Sequence, residues 1–183
     1  MADAQPATTD PSLAPLVRAG VDGVIVLAGG IDGPETPAAG ICLRGRFQPI
    51  LRSSAHPRTE VSLTFRTGYL THGTSSSGTS AGYSDAQSVY EVPILVGVRG
   101  GAGPAFAILE LGDSIEHTSD VLTASGMPTM TTAETRSHFV VDAAAGVQLG
   151  PVELRAGVEY GNMPAYIGNT RLVIALGGDF VSF

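Results

Sequence analysis

Few side chains in this sequence could act as nucleophiles, general bases or metal ligands. Four histidines (His56, His72, His117 and His138) and one cysteine, Cys42, accompany 17 acidic residues. A hydrolase would need a serine, a histidine and a carboxylate converging on one bond. Ser137 adjoins His138, but neighbours on an extended strand point to opposite faces. His56 is expected in a turn and His117 in a loop, with His72 and His138 at strand ends on the polar side. No triad emerges. The histidines and acids also lack the spacing of metal ligands, and a single cysteine excludes an internal disulfide framework and a cysteine-rich zinc site. The expectation is a chain without catalytic residues, cofactor or metal.

The charged residues are more informative. All ten basic residues are arginines. Seven of them, Arg18, Arg44, Arg46, Arg66, Arg99, Arg155 and Arg171, fall on the polar side of strand-like segments. Seven acids fall there too: Asp22, Glu91, Glu110, Asp142, Glu153, Glu159 and Asp179. The remaining three arginines and ten acids lie in the tail, turns and loops and account for the net charge of −7. A water-exposed face has no need of such balance. A narrow interior does, because an unpaired buried charge costs several kcal/mol, and arginine suits buried pairing better than lysine. The acidic total and the absence of a basic tract argue against nucleic acid as a partner. The chemistry expected of these residues is therefore mutual ion pairing in a lumen.

Such residues converge only if the elements carrying them alternate faces. Period-two alternation recurs eight times, near 17–28, 39–50, 60–72, 88–100, 104–112, 137–149, 152–161 and 170–183, between Gly, Pro, Ser, Asn and Asp clusters. Most segments are about ten residues long, the length a tilted strand needs to cross a bilayer. In one, Ile41, Leu43 and Phe47 oppose Cys42, Arg44, Arg46 and Gln48; in another, Val152, Leu154, Val158 and Tyr160 oppose Glu153, Arg155, Gly157 and Glu159. The first and fifth segments are less clean, with Val24, Val26, Phe106 and Ile108 on the polar side. Tight turns at 100–103 and 150–151 alternate with long stretches at 73–87 and 113–136, expected as loops. The pattern predicts an all-β protein, an eight-stranded antiparallel up-and-down transmembrane β-barrel over 16–183, after a flexible tail at 1–15 that reads as a mature N-terminus from which a signal peptide is absent.

Alternation alone does not say which face is inside. A soluble barrel binding a small hydrophobic ligand would place the apolar face inward, and a membrane barrel outward. Charge balance favours the membrane arrangement, as do the Gly and Ala residues that leave room for long Arg and Glu side chains. So does the placement of aromatics at the ends of the apolar faces: Tyr69, Tyr90, Phe139 and Tyr160 at one rim, Phe47 and Phe183 at the other. With fourteen charged groups inside, a narrow channel or a lipid-modifying enzyme is a lesser expectation.

The segment "VYEVPILVGVRGGAGPAFAILELG" (89–112) and the terminal "TRLVIALGGDFVSF" resemble the small eight-stranded outer-membrane β-barrels, of the OmpX and OmpA-barrel type and the "outer membrane protein beta-barrel domain" group. The first has that group's E-x-P-hydrophobic strand, tight turn and Gly-Pro-led return strand. The second ends on Phe183. The resemblance implies a monomer in the outer membrane of a Gram-negative bacterium, with outer-membrane lipid around it. It also implies recognition of Phe183 by the barrel-assembly machinery and a structural or surface-interaction role. Separately, Ile115, Val121, Leu122, Met127 and Met130 in the second long stretch either pack on one another and the rim or mark a surface for an extracellular ligand at 73–87 and 113–136. Asp179 and Gly177 depart from the alternating apolar ending of the group, and a bulge at Gly177-Gly178 would reconcile the two halves of the last strand.

Overall fold

The structure is a computed structural model, described over residues 17–28, 37–48, 59–78, 83–161 and 170–182. It contains eight strands: β1 (Val17–Ala28), β2 (Ala38–Phe47), β3 (Thr59–Gly78), β4 (Tyr83–Ala102), β5 (Ala105–Ala124), β6 (Met130–Leu149), β7 (Val152–Gly161) and β8 (Thr170–Ser182). Each pairs antiparallel with the next, and β8 closes on β1. The tight turns at the β4–β5 and β6–β7 ends place Gly103 and Gly150 at φ 64°, a left-handed conformation that favours glycine.

The closed hydrogen-bond ladder is staggered. Starting at Arg18 and stepping across each pair in register, the path runs through Arg46, Thr64, Gly97, Glu110, Asp142, Glu159 and Arg171. It returns to β1 at Ala28, ten residues beyond its start. A stagger of this kind requires tilted strands, typically by about 35–45°. The steps from Arg18 to Arg171 face the lumen.

Polarity is inverted relative to a soluble protein. Arg44, Arg66, Glu91, Glu110, Asp142, Glu153, Glu159 and Arg171 are buried, whereas Leu43 is 54%, Leu63 52% and Val96 52% exposed. The apolar outer wall and charged interior are those of a transmembrane barrel, and the soluble alternative with an apolar lumen is overturned. Val24, Val26, Phe106 and Ile108, which blur the sequence pattern, do point inward. Val24 and Val26 join Ala38, Cys42, Leu70, Val173 and Ala175 in an apolar cluster on one side of the lumen. Phe106 lies under the Arg99 guanidinium, 4.2 Å from ring centroid to Cζ.

Two expectations are corrected. The stretches 73–87 and 113–136 are largely strand, not loop: β3 to β6 are 20 residues each, against 10 to 13 for the other four. Among the described residues, the β2–β3 pairing ends at Thr71 and the β6–β7 pairing begins at Val140, so β3 to β6 project as a four-stranded sheet past the rim of the barrel. Beyond the rim both faces meet water, so the apolar–polar alternation that marks a half-buried strand disappears while cross-strand pairing continues. Thr118, Val121, Thr131, Thr132 and Thr135 supply the β-branched residues that suit it. The bulge in β8 is also displaced. Ala19 pairs with Val181 and Gly20 with Asp179, so the extra residue is Phe180. Alternation continues through Gly177 because both odd-numbered misfits belong inside. A Cβ on Gly177 would collide with the Asp22 carboxylate and the Val21 carbonyl, and Asp179 accepts hydrogen bonds from Arg44 and Arg46.

Candidate functional site

The lumen charges gather in two tiers. In the tier near the short turns, Arg44 of β2 donates to Glu153 of β7 and, at 3.1 Å, to Asp179 of β8; Asp22 of β1 lies 3.4 Å away. Arg46 donates to Asp179 and lies 3.5 Å from Glu153. Arg99 of β4 reaches Glu60 at 3.2 Å and Glu153 at 3.7 Å. Arg18 approaches Asp179 only to 3.9 Å and is partly exposed. Arg155 faces Asp22 at 3.3 Å. The carbonyl of Gln148 accepts from both Arg46 and Arg99, at 3.2 and 2.9 Å.

The second tier lies beneath the projecting sheet. Arg66 of β3 donates through Nε to Glu110 at 2.8 Å and through Nη2 to Asp142, with Glu159 at 3.7 Å. Arg171 of β8 donates to Glu159 through Nε at 2.7 Å, and to both oxygens of Glu91. Partners come both from opposite walls, as Arg171 and Glu91, and from neighbouring strands, as Arg171 and Glu159 or Arg99 and Glu60, each strand contributing because its polar face turns inward. Sequence reasoning missed Glu60, Gln148 and Ser114, which join this network. Glu60 and Gln148 sit at strand ends where no alternation flags them, and Ser114 falls in a stretch that reads as loop.

Ser114, Glu91 and His138 do meet, but not as a nucleophile and its base. Ser114 Oγ donates to Glu91 rather than to a histidine, and His138 Nε2 stands 3.8 Å from the same carboxylate. Glu91 is already committed to Arg171, and all three side chains are buried. No substrate bond has access there. Among the described residues no group of three or more His, Cys, Asp and Glu is placed to hold a metal. Cys42 is buried, and burial holds its thiol inert as a nucleophile.

On the outer wall, Tyr69, Tyr90, Phe139 and Tyr160 are exposed at the rim from which the sheet projects, and Phe47 at the opposite end. Tyr69 stacks on Tyr90, centroids 5.7 Å apart, and Tyr90 on His117 at 4.6 Å. His117 thus sits on a strand, its Nδ1 2.7 Å from Thr135 Oγ1. Phe180 is 64% exposed at the short-turn end; the sequence pattern hides it because it is the bulged residue. Phe183 and His56 lie outside the described residues.

Above the lumen, the inner face of the projecting sheet forms a concavity of about 200 Å³ lined by Gln87, Glu116, Thr118, Asp120, Thr132, Glu134 and Arg136. Arg136 and Glu134 form a surface pair at 2.5 Å, which holds the Glu134 carboxyl below its usual range. Glu116, at the base, is only 3% exposed, and burial pushes its carboxyl up from the usual range, opposed by the nearby His138.

No family model matches the chain, and no curated protein does. Solved structures do. Ail, the attachment invasion locus protein of Yersinia pestis, aligns with a TM-score of 0.51 at 12% identity, over 89% of this chain and 94% of Ail. Ail in complex with the heparin analogue sucrose octasulfate gives 0.44 at 14% identity, over 89% and 94%. Neisserial surface protein A (NspA) gives 0.45 at 15% identity, over 93% and 99%. At such identities the likeness is one of fold. The first of these supports what the strand order shows, an eight-stranded antiparallel up-and-down barrel of the outer-membrane type.

Proposed function

We propose that this protein is a monomeric, non-catalytic barrel of a Gram-negative outer membrane that displays the β3–β6 sheet at the cell surface for interaction. The observation that carries the reading is the junction at the rim. Below it the outer wall is apolar and ringed by Tyr69, Tyr90, Phe139 and Tyr160. Above it the same four strands continue as a sheet polar on both faces, with Ser84, Ser88, Ser119 and Ser137 on its outer side. Lipid would surround the first part and water the second. The fold shared with Ail, a protein named for attachment and invasion, agrees with a surface role. The paired charges filling the lumen favour a structural interior over open conduction.

Lipid of the outer membrane and the barrel-assembly machinery are the partners this reading requires, with Phe183 as the signal that the machinery reads. The ligand surface is the sheet itself, in place of the flexible loops expected at 73–87 and 113–136.

The test is labelling in intact cells with a membrane-impermeant maleimide, in a Cys42→Ser background. Ser125→Cys, at the tip of the projecting sheet, should react, and Ala102→Cys, at a short turn, should react only after lysis. The reverse pattern would overturn the orientation. A detergent-free, monodisperse folded monomer would overturn the membrane placement.

A further inference from the structure

The concavity on the inner face of the projecting sheet is chemically unlike the lumen beneath it. In the lumen every carboxylate has a guanidinium within ion-pairing distance. Among the described residues of the concavity three carboxylates, Glu116, Asp120 and Glu134, share one cation, Arg136, which donates to Glu134 at 2.5 Å. Asp120 accepts only a neutral donor, Gln87 Nε2, at 2.9 Å. Glu116 is the telling residue. It is 97% removed from solvent by the residue-level exposure of 3%. Its Oε1 accepts a long hydrogen bond from Thr118 at 3.3 Å, and its Oε2 is buried with no hydrogen-bond partner. A buried carboxylate oxygen without a donor is costly, and the residue that carries it forms the base of the concavity.

From this geometry we infer that the concavity is a binding site for an alkylammonium group, the head of a lysine side chain or of a free polyamine. The acceptors decide the class. The three carboxylates are spread along two neighbouring strands, Glu116 and Asp120 on β5 and Glu134 on β6, rather than converging on a point, and no three metal-ligating residues cluster among the described residues. A metal ion would need convergent oxygens. An ammonium on a flexible stem has three donors that reach separate acceptors, and a volume of about 200 Å³ admits one such chain rather than a drug-sized ligand. The ammonium meets Glu116 Oε2 at the base, and its stem runs outward past Thr118 and Thr132 toward Asp120. Sulfated or phosphorylated ligands are disfavoured by the same carboxylates.

The inference rests on the surface-display reading only for access from outside the cell; the site itself is tested in detergent, where orientation plays no part. Folded protein in micelles, its fold checked by gel mobility before and after boiling, is titrated with spermidine and separately with trilysine, followed by amide NMR shifts. The expected result is shifts centred on Gln87, Glu116 to Asp120 and Thr132 to Arg136. Affinity should fall about tenfold or more in Glu116→Gln, as for loss of a charge-assisted hydrogen bond. Asp113→Asn removes the same charge from the outer wall and should leave affinity unchanged. Binding of trilysine alone would identify a polypeptide source, and binding of spermidine alone a free polyamine; both support the site. Absence of binding by either probe would overturn it. So would equal losses in Glu116→Gln and Asp113→Asn, which would mean diffuse charge attraction. If Glu116→Gln does not fold, Asp120→Asn supplies the same comparison.

Discussion

Arg171 on β8 grips Glu91 on the facing strand β4 through both terminal nitrogens, at 2.7 and 2.6 Å, spanning the lumen from one wall to the other. Both side chains are buried, and the same guanidinium also donates to Glu159. Removing one partner strands a buried charge, which typically costs about 3–5 kcal/mol. Glu91→Leu and Arg171→Leu should each destabilise the barrel by about that much in denaturant titrations followed by circular dichroism. The double variant should recover part of the loss, because it removes one charge of each sign; the part not recovered reflects Glu159, which keeps only Arg66 at 3.7 Å. A double variant as damaged as the sum of the singles would mean that the two residues act independently.

Gly177 and Gly23 offer a second comparison. A Cβ at Gly177 would strike the Asp22 carboxylate and the Val21 carbonyl, whereas at Gly23 the nearest atom is the Leu176 carbonyl oxygen at 3.7 Å, an ordinary contact. Gly177→Ala should cost about 1–3 kcal/mol, the range for overpacking. Gly23→Ala should fall within about 0.5 kcal/mol of the parent. The readout is the unfolding midpoint at unchanged slope, and similar midpoints for the two variants would contradict the closeness of Asp22 to β8.

Deleting Phe183 should lower the amount of folded barrel in the outer membrane of cells far more than it lowers refolding yield in detergent. The barrel closes through the β1–β8 ladder from Arg171 to Ser182, so the lost ring removes roughly 1.5–3 kcal/mol of burial at most. Phe180→Ala, at the exposed bulge, serves as a second aromatic deletion close to Phe183 in sequence. If membrane levels and refolding fall together in the Phe183 deletion, that residue acts through packing and not as a signal.

Spermidine affinity should depend on pH through Glu116. Burial raises its carboxyl above the usual range, and the cation binds the ionised form. Affinity is then full well above that raised value and falls as pH drops through it. The groups facing Glu116 act in both directions: Glu91 on β4 raises its pKa further, whereas His138 on β6 and Arg171 on β8 hold it ionised. Arg136 is its cross-strand partner on β6. Titration of affinity between pH 4 and 8 checks this, and a flat profile in the parent matching that of Glu116→Gln would remove Glu116 from the site.

The barrel and its inversion are legible in the sequence because lipid on one side and paired charge on the other enforce strict alternation, as from Val152 to Tyr160. Fourteen of the fifteen Arg, Asp and Glu residues that pair in the lumen follow from that alternation, Glu60 being the exception. Who pairs with whom does not follow: Arg66 meets Asp142 from three strands away, a contact set by the stagger of the ladder and by side-chain length. The projecting sheet is invisible because Thr118 to Ala124 and Met130 to Ser137 face water on both sides, which removes the periodic signal without removing the strand. The concavity goes unseen for the same reason, since Glu116, Asp120 and Glu134 read as loop acids. Phe180 is missed because a bulged residue breaks the count on which the pattern depends.

The distribution of inward charge bears on how the chain enters a bilayer. Every strand carries at least one: Asp22, Arg44, Arg66, Glu91, Glu110, Asp142, Glu153 and Arg171 lie on β1 to β8 in turn. A lone hairpin lying open in hydrocarbon would therefore present ionised groups to lipid, at roughly 2.5–3.5 kcal/mol apiece by insertion scales. Adjacent strands relieve this only in part: Asp22 meets Arg44 within β1–β2, Glu60 meets Arg99 within β3–β4 and Glu159 meets Arg171 within β7–β8, but the Glu91 partner of Arg171 and the Asp142 partner of Arg66 come from across the lumen. Stepwise threading, one hairpin after another, thus leaves charges such as Arg66 and Glu91 without their partners until the far wall arrives. The kinetically open route is a concerted one, in which the sheet curls and its ion pairs form before the strands reach full depth.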